Sequence, residues 1–229
     1  MTISSSRSEW RVPAGLIALS VVPVAAGMFR IGQLAGGAVI TPDNARFFAS
    51  PLPVVLHIVS ATVYCIGGAL QFAPGFRRRN PRWHRRAGRL FVLCGLMVAV
   101  TGLWMTLFYP PVDGDGPFLY GMRLMVGSTM VLCLGIGFAA IRQRDVPRHR
   151  AWMMRGYALA LGAGTQAFTH LPWLVYSTVH DELARAISMA AGWVINLAVV
   201  EWTLRGGASS KASLPRFARS PRSLERRTS

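Results

Sequence analysis

The chain has 229 residues, of which 52% are hydrophobic and only 15% charged, against about 25% charged in an average soluble domain. Its net charge of +16 would suit nucleic-acid binding if the basic residues lined one soluble face. They sit instead in short clusters between long charge-free stretches, which excludes a basic soluble domain and marks a chain with several membrane spans. The expected partners are therefore the lipid bilayer and its anionic headgroups, not nucleic acid.

A helix needs about 20 apolar residues to cross the hydrocarbon core, and six stretches qualify. The first runs from about Val12 to Leu34 and contains Pro13 and Pro23. Arg7 and Arg11 before it and Val24-Ala25-Ala26 within it also resemble a cleavable signal, but the apolar stretch is long for one, so a retained helix is expected. The second runs from about Leu52 to Ala73, the third from Gly88 to Tyr109 and the fourth from about Leu119 to Ile141. The fifth runs from about Ala151 to Tyr176 and the last from about Leu183 to Leu204. Membrane strands would alternate apolar and polar residues over about ten positions, and no consecutive segments do so. The predicted fold is an all-α bundle of six transmembrane helices spanning 12–204. A cytoplasmic segment, 1–11, precedes it, and a basic, Ser-rich, disordered tail, 205–229, follows.

Basic residues collect on the cytoplasmic side of membrane proteins. The loop after the second span carries Arg77, Arg78, Arg79, Arg82, Arg85, Arg86 and Arg89, and the loop after the fourth carries Arg142, Arg144, Arg148 and Arg150. The opposite loops hold Asp43, Asp113, Asp115, Asp181 and Glu182. By this count 21 of the 25 basic residues share one face, which predicts cytoplasmic N and C termini. Cys65, Cys94 and Cys133 all fall within spans and form no CxxC motif, so they are expected to be free. Gly67, Gly68, Gly95, Gly102, Gly162 and Gly164 are expected points of close helix approach.

No phosphate-binding loop, zinc-protease motif or nucleophile elbow is present. The candidates for chemistry are polar groups at membrane depth, which are costly there. His84 and His149 fall at the arginine-rich end, His57 and His170 toward the other, with His180 in the loop beyond. Two such pairs suit axial ligation of two haem groups. The 21 residues from His149 to His170 would separate the sites by about 31 Å of helix, which places each at a membrane edge. Glu201 can pair with Arg205 or, across the bundle, with Arg155. Gln71, Thr165, Gln166 and Asn196 can bond between helices or line a polar cavity. Trp83, Trp152, Trp173 and Tyr176 suit interfacial belts.

Several of these residues form a pattern. His57, Gly67-Gly68, Gln71-Phe72, His84-Arg85 with Gly88-Arg89, and His149-Arg150-Ala151-Trp152-Met153 with Arg155 and Tyr157 resemble the bacterial predicted membrane proteins grouped as domain of unknown function 2306. The resemblance covers about Leu52 to Trp173, and His170, though within that range, is not part of its pattern. It implies a multi-pass membrane protein, singles out His57, His84 and His149, and carries no activity with it. The leading functional expectation is a redox component of the bacterial cytoplasmic membrane that binds haem b or quinone through these histidines. The alternatives are a small-molecule or lipid transporter and a non-catalytic membrane assembly protein.

Overall fold

A computed structural model describes residues 3–171 and 182–212. Among the described residues all regular structure is helical: α1 (Ile3–Ala35), α2 (Ala45–Ala49), α3 (Pro51–Thr62), α4 (Pro74–Arg79), α5 (Pro81–Phe108), α6 (Pro117–Arg142), α7 (Val146–Ala160), α8 (Gly162–Thr169) and α9 (Glu182–Ala212). Proline opens α3, α4, α5 and α6. Its missing N–H costs nothing at a first helical position, and its fixed φ prepares the turn. Helix α7 starts instead on Asp145, whose carboxylate accepts from the Arg148 N–H at 3.0 Å.

Among the described residues five helical segments are long and apolar enough to cross a membrane: Glu9–Ala35, Pro51–Phe72, Pro81–Phe108, Pro117–Arg142 and Glu182–Gly206. They match the expected spans one to four and six. The expected fifth span is divided. Leu161 lies between α7 and α8 with ψ of −5°, and neither piece reaches a span's length alone. Its last part, with Trp173, Tyr176 and His180, lies outside the described residues. So does the tail from residue 213 onward.

Helix α3 does not end cleanly at Thr62. It passes through a π turn, Val63–Gly67, and a 3₁₀ turn, Leu70–Phe72. Such turns displace carbonyls from the regular ladder. The Tyr157 hydroxyl of α7 donates to the Cys65 carbonyl within that turn.

Helices α3, α5, α6, α7 with α8, and α1 pack in a closed ring, and α9 lies against α6, α7 and α8. The core is built from Tyr64, Phe91, Val98, Met130, Leu134 and Tyr157, with Cys65 and Cys133 among them. Outward, large apolar side chains are bare: Phe29 is 68% exposed and Trp202 78%. A soluble monomer rarely shows so much contiguous apolar surface, whereas a bilayer covers it. All three cysteines are free.

Small residues set the helix spacing. A methyl group added at Gly67 would stand 2.6 Å from the Phe91 ring, at Gly68 2.9 Å from Tyr157, and at Gly95 2.9 Å from Leu134 and Tyr64. Gly162 abuts Trp193 and Gly164 abuts the Leu19 backbone. Gly102 is looser, with a methyl reaching His57 at 3.5 Å.

Candidate functional site

A cavity of about 420 Å³ opens between the helices at the end that carries the acidic loops. Most of its wall is apolar, from Val98, Met105, Val126, Met130, Leu159 and Trp193. Its polar lining includes His57, Arg46, Arg123 and Gln166.

Helix α3 presents His57 to α5, where Nδ1 lies 3.0 Å from Thr101 Oγ1. The Thr101 hydroxyl donates to the Met97 carbonyl at 2.6 Å. With that proton so placed, a His57 ring protonated at Nδ1 donates to the Thr101 oxygen. In the neutral ring that leaves Nε2 as an unprotonated acceptor. Thr101 is buried, so the ring orientation is held by a group shielded from water.

Arg46, on α2, sits beside this chamber. Its Nη1 reaches only the Pro110 carbonyl, at 3.4 Å, and its guanidinium lies 4.7 Å from the Phe47 ring centre. Its Nε is buried without a hydrogen-bond partner. Burial lowers the Arg46 pKa, and the neighbouring guanidiniums Arg123, Arg185 and Arg30 add to this against the single opposing charge of Asp115. Arg123 clamps Asp115 through two bonds, of 2.7 and 3.1 Å. Arg185 takes the same carboxylate at 3.2 Å. Arg30 bonds Gln33 and lies 4.6 Å from the Phe47 ring centre.

The other described histidines lie elsewhere. His84 begins α5, 17 residues before Thr101, or about 26 Å along the helix. It is close enough to His149 to interact with it electrostatically. Both His-Arg elements lie at the arginine-rich end. His149 Nδ1 lies 2.8 Å from the Gly137 carbonyl. His84 Nδ1 and Gln71 Nε2 are buried without partners, and Gln71 Oε1 lies 3.9 Å from where a methyl on Gly88 would stand. Arg85, Arg89 and Arg150 at this end are exposed. His170 bonds back to the Gln166 carbonyl at 2.9 Å and does not line the cavity. Of the histidines predicted toward the acidic end, His57 lines the cavity and His170 does not. Among the described residues no group of three or more His, Cys, Asp or Glu side chains is arranged to hold a metal ion.

Other expected polar residues join helices. Arg155 pairs with Glu201 through bonds of 2.6 and 3.0 Å and lies 4.9 Å from the Trp152 ring centre. Thr165 donates to Asn196 at 2.7 Å, Asn196 to the Ala158 carbonyl at 3.1 Å, and Gln166 to the Met189 carbonyl at 2.9 Å.

Sequence reasoning passed over Thr101, Arg46, Arg123, Arg185 and Asp115. One signal was available for the arginines. The four basic residues left off the majority face are Arg30, Arg46, Arg123 and Arg185; Arg123 and Arg185 hold Asp115, Arg46 and Arg123 line the cavity, and Arg30 shares the Phe47 ring with Arg46.

An all-helical bundle with five membrane-length apolar helices and an apolar exterior defines a multi-pass membrane protein. The chain belongs to the family of predicted membrane proteins designated DUF2306, whose model matches residues 54–204. The match extends past Trp173 to take in the last span. Neither the curated proteins nor the solved structures gave a match to the chain.

Proposed function

We propose that the protein is a six-span component of the bacterial cytoplasmic membrane, with both termini cytoplasmic, and that it binds a quinone-class redox ligand in the cavity beside His57. Helices α7 and α8 together run from Val146 to Thr169, about 36 Å if straight, which supports a fifth crossing despite the break at Leu161. The packing of α1 against α3 and α8 supports its retention as the first helix. The asymmetry of arginine supports the orientation.

The observation that carries the ligand reading is the chamber itself: apolar walls around one imidazole whose Nδ1–H is already engaged. Cofactor sites are typically apolar with a few placed polar groups. The His57 Nε2 lone pair can accept the hydroxyl proton of a quinol. The same lone pair can bind haem iron. For haem b the lining offers the Met105 and Met130 thioethers as a second axial ligand but no second histidine, so the quinone fits better. His84 and His149 stand apart from this chamber as proton-handling candidates. For transport, three of the four expected polar lining residues, Gln71, Thr165 and Asn196, lie outside the cavity.

The test is made on full-length protein purified in detergent from cells with ample haem. Reduced-minus-oxidised visible spectra should show no haem band. Naphthoquinone should quench the tryptophan fluorescence, since Trp193 lines the cavity, and His57→Ala should abolish the effect. A haem band lost in His57→Ala would replace quinone with haem b. Neither band nor quenching would sink the redox reading and favour an assembly role.

A further inference from the structure

The cationic rim of the cavity is unexplained by topology. Arginines on the minority face run against the charge bias that orients membrane proteins. Four are drawn together here, each partly buried, and two of them hold one carboxylate. Asp115 is nearly enclosed, its side chain 8% exposed, and is taken by Arg123 and Arg185. Asp43, Asp113 and Glu182 at this end are exposed and make no ion pair among the described residues. Among the described residues Arg46 is thus left without a paired carboxylate, with Nε buried and unbonded, on the wall of an apolar chamber.

A guanidinium partly withdrawn from water gains from an anion and hydrogen-bond acceptors that offset its desolvation. Its planar fork, Nε–H with Nη–H, fits a carboxylate or an enolate-like oxygen pair. Arg123 is committed to Asp115, which leaves Arg46 as the group able to receive such a ligand. The apolar walls beyond it accept the uncharged body of the same molecule.

We propose that the occupant of this cavity is an amphiphilic acid, its ionised group held by Arg46 and its apolar body lying between Met105, Met130 and Trp193 toward His57. This rests on the cavity being the ligand site. Within the quinone class it narrows the ligand to a ring that carries an acidic hydroxyl or a carboxylate.

The experiment is isothermal titration of the full-length protein in detergent with naphthoquinone, hydroxynaphthoquinone in its ionised form, and decanoate. A charge-assisted bond should make the ionised ring bind at least about tenfold tighter than the neutral one. Arg46→Gln should erase that preference, bringing the two rings to equal affinity, and Arg46→Lys should keep part of it. If Arg46→Gln does not fold, wild-type protein titrated at a pH where the hydroxyl is protonated supplies the check, since the advantage should vanish there. Equal binding of the two rings overturns the acid inference and leaves the quinone reading intact. A preference that survives in Arg46→Gln also overturns the assignment. Decanoate binding as tightly as the ionised ring supports the acid and counts against the quinone. Binding of none of the three overturns both.

Discussion

Replacing Gly67 with alanine tests the packing that the π turn imposes on the bundle. The new methyl carbon would stand 2.6 Å from Phe91 Cε1 and 2.8 Å from Cζ, where ordinary contact begins at 3.4 Å. The ring has no easy retreat. Phe91 is 8% exposed, within the central cluster, and Trp83 stands against it with ring centres 6.3 Å apart. Either Phe91 leaves its rotamer or the end of α3 moves off α5. Overpacking of this kind costs about 1–3 kcal/mol. Gly135→Ala is the control. Nothing lies within 4 Å of its added methyl, and helix propensity favours alanine there by up to about 1 kcal/mol. Reversible unfolding in mixed micelles with increasing sodium dodecyl sulphate, followed by circular dichroism, would rank the two. Gly67→Ala should be less stable than wild type, Gly135→Ala should equal or exceed it, and adding Phe91→Leu to Gly67→Ala should restore part of the loss. Gly67→Ala as stable as Gly135→Ala would refute the close approach of α3 and α5 at this point.

Thr101→Val removes the acceptor for His57 Nδ1–H, and a buried donor without a partner costs about 1–3 kcal/mol. It should weaken naphthoquinone binding, Thr101→Ser should retain it, and equal affinities in the two variants would separate His57 from the ligand. Arg155→Ala and Glu201→Ala should be non-additive in a double-mutant cycle. The coupling should be only about 0.5–1 kcal/mol, because Glu201 is 38% exposed and the pair is partly screened. Strict additivity would mean the pair adds nothing to docking α9 on α7. Single cysteines at Asp43 and Arg82 should label from opposite sides with a membrane-impermeant maleimide, Asp43→Cys in intact cells and Arg82→Cys only after lysis. Labelling of both in intact cells would overturn the orientation.

The sequence alone determined where the membrane-length helices fall. A span is defined by a run of apolar residues, a local property that burial against neighbours does not alter. Five spans follow the expected limits, and the Pro residues that open α3, α5 and α6 mark helix starts by local backbone chemistry. The break at Leu161 was not legible, because nothing local forces a turn there. It occurs where Gly162 and Gly164 let Trp193 and the Leu19 backbone approach, which is a property of three helices at once. Arg155 and Glu201 were legible as one of two pairings, since a lone acid near the end of a span needs a cation. Their tertiary contact decided between Arg155 and Arg205.

His57 stood out in the sequence because a histidine within a span is costly, but its partner Thr101 is 44 residues away and reads as an ordinary helical threonine. Arg46, Arg123 and Arg185 come from three different connections or helix ends. Each alone is a surface arginine, and the charge count registers them only as exceptions. Closing the helices into a ring brings Arg123 and Arg185 to one carboxylate and leaves Arg46, among the described residues, without an ion pair on an apolar wall. Membrane insertion depends on composition along the chain, which the sequence carries in full. A binding site depends on which distant side chains share a space, and only the packing of the helices decides that.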